Sequence, residues 1–508
     1  MKTLLLSLCA LCCLWLTLRR SVHLFQLEGY QFPGYKRALK TYRKSFFGAK
    51  VLFPMAVFAF LAAFAPYFAL LPAALFILIN PPQKMKKPLV YTPRVRRLCA
   101  VSLVLTGVLC TPAAFAGAWA LGVSLAAAVI LTPYLLIAWT LVCAPAEKAI
   151  SNRYINDARS ILREHTRLKT VGITGSFGKT STKYFLYELL SQKYNVYMTP
   201  GNFNTTLGVT RAVREGLSPV HEIFLCEMGA RHVGDIKEIC ELAPPDVAVI
   251  TSVGNQHLET FGSLERVLST KLELHDAVCG RGVTFLNTDS APLRDALPEL
   301  KGEIVTCGKD GAYRSSKITA DKNGLRFTVT SPDGESREFS TKLLGDANVQ
   351  NLTLAIACAH SLGVTFEQMV PAVRLLKSVP HRLELKSAGD TTIIDDAYNS
   401  NPEGAKTALD ALSLFVPACR VLVTPGLVEL GSRQDTENEA LGTYAAGRCD
   451  LAVIVGSTNR DALVSGLKKG GFNESNILTL KSVSDAFAAL PGGSKAVLLL
   501  NDLPDNYL

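Results

Sequence analysis

Residues 171–185 read VGITGSFGKTSTKYF. A short apolar run leads into a turn with two glycines, a lysine and several hydroxyls, and a helix-like pattern follows. Such a turn between strand and helix offers backbone N–H groups to an anion, and the helix dipole adds to the attraction. Gly175 and Gly178 let the backbone approach a phosphate closely. Lys179 has the reach for its outer oxygens, and the Thr180 hydroxyl suits Mg²⁺. The general phosphate-loop pattern has glycine where this chain has Ile173, so a chance Gly-Lys-Thr turn is the competing reading.

The elements that must hold this turn alternate. KTVGIT is a short apolar strand and KYFLYELLSQ a helix; EIFLCEMGA, GDIKEICELA and DVAVITSV repeat the rhythm as strand, helix and strand. That order argues for a mostly parallel sheet with helices on both faces. The pattern restarts near residue 380 with TTIIDDAYNSNPEGAKTALDAL, CRVLVTPG, DLAVIVGS and KAVLLLN. The expected fold class is therefore α/β, with a central P-loop domain at 151–378 and a smaller Rossmann-like domain at 379–508. VPHRLE, residues 379–384, is the junction.

What precedes the turn is of another kind. The chain has 508 residues and a net charge of +10, of which 48% are hydrophobic, and its mean hydropathy is +0.23. Residues 1–150 carry 16 Lys or Arg against two acids, Glu28 and Glu147, so the remainder is slightly acidic. A nucleic-acid partner would need its basic patch in the soluble part, and none is evident. Residues 98–146 hold no charged side chain and fit a two-helix hairpin turning between Pro112 and Gly122. Residues 51–79 form another uncharged run with prolines at 54, 66 and 72. The first 18 residues, without an A-x-A cleavage site, read as an uncleaved anchor. Both basic loops around 51–79 should be cytoplasmic, which conflicts with a single crossing; a Pro66-broken hairpin would resolve the conflict, although 29 residues are short for two full spans. Residues 1–150 are thus expected as transmembrane helices in the bacterial cytoplasmic membrane, with the rest facing the cytoplasm. Seven scattered cysteines in the soluble part, with no C-x-x-C pair, suit a reducing compartment.

Downstream motifs give the turn a context. PGNFNTTLGVT, EMGARHVGDI, ITSVGNQHLETFGSLERVLSTK, GDANVQNLTLAIACA, VPHRLE, DDAYNSNPEG and TPGLVELG follow G-S-F-G-K-T-S in order. Together they resemble the Mur ligase superfamily, most of all its D-alanyl-D-alanine-adding branch, over residues 165–508. The resemblance implies a reaction in which ATP activates a carboxylate as an acyl phosphate, and an amine then attacks to form an amide. It implies ATP and one or two Mg²⁺ ions as cofactors. Gly175, Ser176, Gly178, Lys179, Thr180 and Ser181 would cradle the phosphates, and Thr180, Glu227 and His257 would ligate metal. Asn348 and Asn351 would face adenine, and Arg382 and Asp396 would reach the nucleotide from the C-terminal domain.

Lys271 matches a lysine that several members carbamylate; the plainer reading is a surface ion pair with Glu273. Asn202, Asn204, Thr205, Thr206, Asn399 and Asn401 would line the substrate side. Three departures stand out: Ala347 replaces a histidine, Thr205 and Thr206 replace an amide and a carboxylate, and membrane-like helices stand where the family places a UDP-gripping domain. The implied partners are an amino acid or dipeptide and a muramoyl-peptide-like acceptor, UDP-linked or lipid-linked.

Overall fold

The computed structural model describes residues 2–81, 87–254, 258–398, 400–428 and 430–502. It divides into two compact units, residues 1–152 and residues 153–503.

The first unit is helical. Its helices span Lys2–Leu27, Phe32–Thr41, Ala49–Phe64, Leu70–Ile79, Pro93–Phe115 and the start of Ala118–Glu164. Among the described residues, four segments are long and apolar enough to cross a membrane: Thr3–Leu27, Arg43–Phe64, Pro93–Phe115 and Ala118–Glu164. The 51–79 run breaks at Pro66, whereas Pro54 and Pro72 lie within helices. One helix ends at Phe64, a 3₁₀ turn covers Pro66–Ala69, and the returning helix has 10 residues, too few for a full crossing. The second hairpin turns at Gly117, whose φ of +115° favours glycine. Its last helix runs to Glu164, well past the apolar stretch. Ile155, Ala158, Ile161 and Leu162 prolong an apolar stripe into the second unit and pack in its core.

The second unit holds two sheets. The strands are β1 (Lys169–Thr174), β2 (Val196–Met198), β3 (Ile223–Glu227), β4 (Val247–Ile250), β5 (Val283–Asn287), β6 (Glu303–Gly308), β7 (Tyr313–Asp321), β8 (Gly324–Thr330) and β9 (Ser336–Thr341). They form one sheet in the order β2-β3-β1-β4-β5-β6-β7-β8-β9. The pairs from β2 through β7 are parallel, whereas β7–β8 and β8–β9 are antiparallel. A second sheet is ordered β10-β11-β15-β12-β13-β14. Its strands are β10 (Glu384–Ala388), β11 (Thr391–Asp396), β12 (Cys419–Thr424), β13 (Leu451–Val455), β14 (Ile477–Leu480) and β15 (Lys495–Leu500). Only its edge pair, β10–β11, is antiparallel.

The alternating sequence pattern thus becomes two α/β layers with parallel-rich sheets. The apolar residues of β1, β3 and β4 are buried against helix Lys179–Leu190 and helix Leu264–Val278. That double covering is why these strands read as continuous apolar runs.

Candidate active site

β1 lies between β3 and β4, so the chain leaves the sheet in opposite directions on either side of it. Ligands of open α/β sheets bind at the carboxyl ends of strands at such a point. Register pairs Ile173 with Glu227, which sets the carboxylate beside the turn that follows β1. The Thr174 hydroxyl donates to Met228 O at 2.8 Å, and Thr251 N donates to Thr174 O at 2.9 Å, tying the three strand ends together.

The turn is as confined as its glycines suggest. Gly175 has φ +148° and Gly178 φ +82°. A Cβ on Gly175 would lie 2.0 Å from Thr251 Oγ1, and one on Gly178 would lie 2.3 Å from Asn351 Oδ1. Asn351, on helix Ala347–Ser361, therefore packs directly against the turn. The following helix begins at Lys179, four residues before the apolar pattern announces it, because left-handed Gly178 redirects the chain. Ser176 N donates to Ser252 O at 2.6 Å, and Ser176 Oγ accepts from Gly254 N at 3.1 Å. Ser181 is buried one turn into the helix.

Lys179 folds back on its own turn, donating to Gly175 O at 2.5 Å and Ser176 O at 3.0 Å. Burial lowers its pKa to about 8; Glu227 works against that shift and Arg382 adds to it. Glu227 is 1% exposed. Its Oε1 accepts from Thr180 Oγ1 at 3.2 Å and from Asn204 Nδ2 at 3.0 Å. Its Oε2 lies 3.0 Å from Lys183 Nζ as an ion pair without hydrogen-bond alignment. Burial would raise its carboxyl, but Lys183 and Lys179 outweigh that and hold it below the ordinary value. A solvated strand-end carboxylate is thereby excluded.

Lys271 does not form the surface ion pair that its sequence allows. It is 2% exposed on helix Leu264–Val278. Glu273 instead accepts from Gly234 N at 2.7 Å and Lys237 N at 2.9 Å. Burial, reinforced by the Lys179 charge, lowers the Lys271 pKa to about 7.

Within the second unit, the part built on the first sheet forms one lobe and the part built on β10–β15 the other, and Arg382 lies at the start of the latter, just before β10. Arg382 sits between two residues of positive φ, His381 at +60° and Leu383 at +48°, a costly conformation for both. Two adjacent carboxylates of β11 hold it. Asp395 Oδ2 contacts His381 Nδ1 at 2.9 Å and accepts from Lys386 Nζ at 2.6 Å, while Asp396 Oδ1 accepts from Leu383 N at 3.2 Å. Burial pushes the Asp396 carboxyl up to about 7, against the pull of Leu383 N–H and Arg382. The Arg382 guanidinium lies 4.8 Å from the centre of the Tyr398 ring. Asn202 Nδ2, from the first lobe, donates to Tyr398 Oη at 2.9 Å. The Arg382 charge is felt at Lys179, where it adds to the lowering of that amine's pKa.

Several expected residues have local duties. The Thr205 hydroxyl caps helix Thr206–Gly216 by accepting from Gly208 N at 3.3 Å. Asn401 Oδ1 caps helix Pro402–Ser413 through Glu403 N and Gly404 N. Asn348 Nδ2 donates to Leu344 O at 2.7 Å, and Thr206 O accepts from Thr210 Oγ1 at 2.8 Å. His257 and Asn399 lie outside the described residues. Sequence reasoning passed over Lys183 and Tyr398. A lysine four residues after Lys179, with the buried Leu186 and Leu190 three and seven residues further on along the same side of the helix, was a legible signal of a buried cation.

Residues 173–359 match the Mur ligase middle domain and residues 381–499 the Mur ligase glutamate ligase domain. The UDP-N-acetylmuramoyl-tripeptide–D-alanyl-D-alanine ligase of Mycobacterium leprae is 30% identical over 359 residues, covering 64% of this chain and 68% of the relative. That of Mycobacterium tuberculosis strain H37Rv is 34% identical over 306 residues, covering 57% and 59%. The chain thus spans about three fifths of the first curated relatives it matches. Among solved structures, Acinetobacter baumannii MurF aligns with TM-score 0.62 and 27% identity, over 69% of this chain and 77% of that one. Thermotoga maritima MurF, solved in complex with ADP, aligns with TM-score 0.62 and 27% identity, over 70% and 81%. With its turn, strand-end carboxylate and junction arginine in the matched segments, the chain belongs to the Mur ligase family.

Proposed function

We propose that the protein is an ATP-dependent amide ligase of cell-wall precursor synthesis. It joins the carboxylate of a UDP-linked muramoyl tripeptide to the amine of D-alanyl-D-alanine or a similar amino acid or dipeptide. The observation that carries this reading is the convergence of Lys179, Glu227 and Arg382 at one sheet edge, from two lobes. Their charges suit a reaction that brings two anions together, a carboxylate and a terminal phosphate. The names of the ligases it resembles support the choice of substrates.

The chemistry proceeds in two displacements. A carboxylate oxygen attacks the γ-phosphorus and ADP departs; the amine nitrogen then attacks the acyl carbon, loses a proton, and phosphate leaves with the oxygen. Lys179 would exchange its two loop carbonyls for phosphate oxygens, and Arg382 would meet the transferring phosphoryl group from the opposite lobe. The donor set fits Mg²⁺: Thr180 and Glu227 offer hard oxygens, and Glu227 Oε2 is buried without a hydrogen-bond partner. When bound, the ion would supply charge neutralisation at the phosphates. Lys271, buried and with a lowered pKa, offers a neutral amine able to add CO₂; the resulting carbamate would be an anion close to Lys179.

The first unit would anchor the ligase lobes at the cytoplasmic face of a bacterial membrane, where ATP is available. Four apolar helices support this. They also favour a second reading, in which the acceptor is lipid-linked and the anchor keeps the site near the bilayer, since they stand where a UDP-gripping domain would otherwise be. Full-length protein in detergent, given ATP, Mg²⁺ and D-Ala-D-Ala with either acceptor, decides between them by product formation. Amide product with the UDP-linked tripeptide supports the first reading. Product with the lipid-linked form alone replaces it with the second.

A further inference from the structure

Lys183 lies one helical turn beyond Lys179, and its side chain is fully buried. An ammonium has three protons to place, and it donates two of them, to Thr199 O at 2.8 Å and Gly201 O at 2.7 Å. Glu227 Oε2 lies 3.0 Å away as its ion-pair partner, so the buried amine is held by the protein's own groups. An apolar side chain would fill this volume without the desolvation cost of a buried ion.

The partners explain what the ion does. Thr199 is already fixed to β3, since its backbone N donates to Leu225 O at 3.0 Å and its hydroxyl accepts from Glu227 N at 3.2 Å. Gly201 is the solvent-side end of the turn, and the Lys183 contact ties it inward. The next residue, Asn202, reaches Tyr398 at 2.9 Å, and the Tyr398 ring lies under Arg382. Asn204, from the same loop, returns to Glu227 Oε1.

We propose that Lys183 is a positioning residue whose ammonium sets the Glu227 carboxylate and the 199–204 loop together, so that one buried cation aligns the phosphate side of the site with its acceptor side. The loop placement follows from the contacts alone. Only the kinetic consequence rests on the ligase reading.

The test uses the full chain in detergent with Lys183→Met, Lys183→Arg and the double variant Lys183→Met/Glu227→Gln. Lys183→Met leaves a buried carboxylate unpaired and lowers the melting temperature, whereas the double variant removes both charges and regains it. Amide exchange over 199–206 should quicken about tenfold in Lys183→Met and stay fast in the double variant. Wild-type protection of 199–206 in the double variant would overturn the proposal, because the lysine would then matter only as the partner of a charge. In the ligase assay, Lys183→Met should raise the acceptor KM about tenfold, with partial rescue by Lys183→Arg. An acceptor KM left at the wild-type value would also overturn it. If wild-type protein makes no product, the ligase reading fails while the exchange measurement still decides the role of Lys183.

Discussion

Apolar side chains are placed in opposite senses in the two units. In the second, Phe185, Leu186, Leu189 and Leu190 line one helix face and are at most 2% exposed. In the first, Phe64 is 76% exposed, Leu78 77% and Phe115 90%. Exposed apolar surface of that kind marks a membrane or a partner, and the segments that carry Phe64 and Phe115, Arg43–Phe64 and Pro93–Phe115, have the length a bilayer needs. The second unit turns its cost elsewhere: it buries Lys183, Glu227 and Lys271 near the half-buried Lys179, with Glu227 offsetting Lys183 and Lys179 while Lys271 is pushed toward its neutral form. Hydropathy therefore measures how much apolar surface a chain has, whereas the solvent around each unit decides which way that surface points.

The hardest blow to the second unit's charged centre is Lys179→Met. On the proposed ligase reading it should lower turnover by at least about a thousandfold, because Lys179 would then meet charge that develops in the transition state. Phosphate release measures the loss, and nucleotide-free thermal unfolding should stay close to wild type.

A paired truncation sharpens the contrast. Leu186→Ala opens a cavity in the second unit and should cost about 2–5 kcal/mol. Phe115→Ala, at an exposed apolar position, should change detergent-state stability by less than about 0.5 kcal/mol. Thermal unfolding of both variants reads the difference, and equal losses would break the comparison.

The converse substitution places a charge on the exposed apolar face. Leu109→Lys should cost about 3 kcal/mol of membrane insertion if that helix spans a bilayer. Alkaline extraction of membranes should then release more of the variant; wild-type retention would place this face against protein.

Smaller effects come from the titrating groups. Asp396 is raised to about 7 in the folded chain from an ordinary 3.8. The native state therefore holds its proton where the unfolded chain has lost it, and the stability this provides is lost as pH rises through that window. Asp396→Asn should match wild type below pH 4 and exceed it above pH 7, read from melting temperatures across that range. Lys271 runs in the other sense. Its folded value near 7 lies below the ordinary 10.5, so between those values the unfolded state binds more protons and stability rises with pH. With ¹³C-bicarbonate at pH 8, a carbamate signal should appear in wild-type protein and vanish in Lys271→Arg.

The turn, its strand and the order of elements through β4 were legible because residues that do chemistry at a strand end leave local signatures. The restart near residue 380 was legible for the same reason. The hairpins of β7, β8 and β9 passed unread, although alternation in ITADKNGLRFTVT and the Asn323-Gly324 turn carry the strand signal. The caps at Thr205 and Asn401 were hidden because an N-cap and a ligand-binding loop use the same residue types. The buried state of Lys271 was invisible for a physical reason. Lysine beside glutamate reads as surface, and only packing of Leu274 beneath Gly172 of β1 brings that helix face inward.

The central claim is that this site activates a carboxylate by phosphorylation. Acceptor carrying ¹⁸O in its reacting carboxylate, incubated with ATP, Mg²⁺, D-Ala-D-Ala and the full-length protein, tests it most directly. The account predicts one ¹⁸O in each released phosphate, because that oxygen leaves with phosphorus when the amide forms. Amide product accompanied by unlabelled phosphate would contradict it.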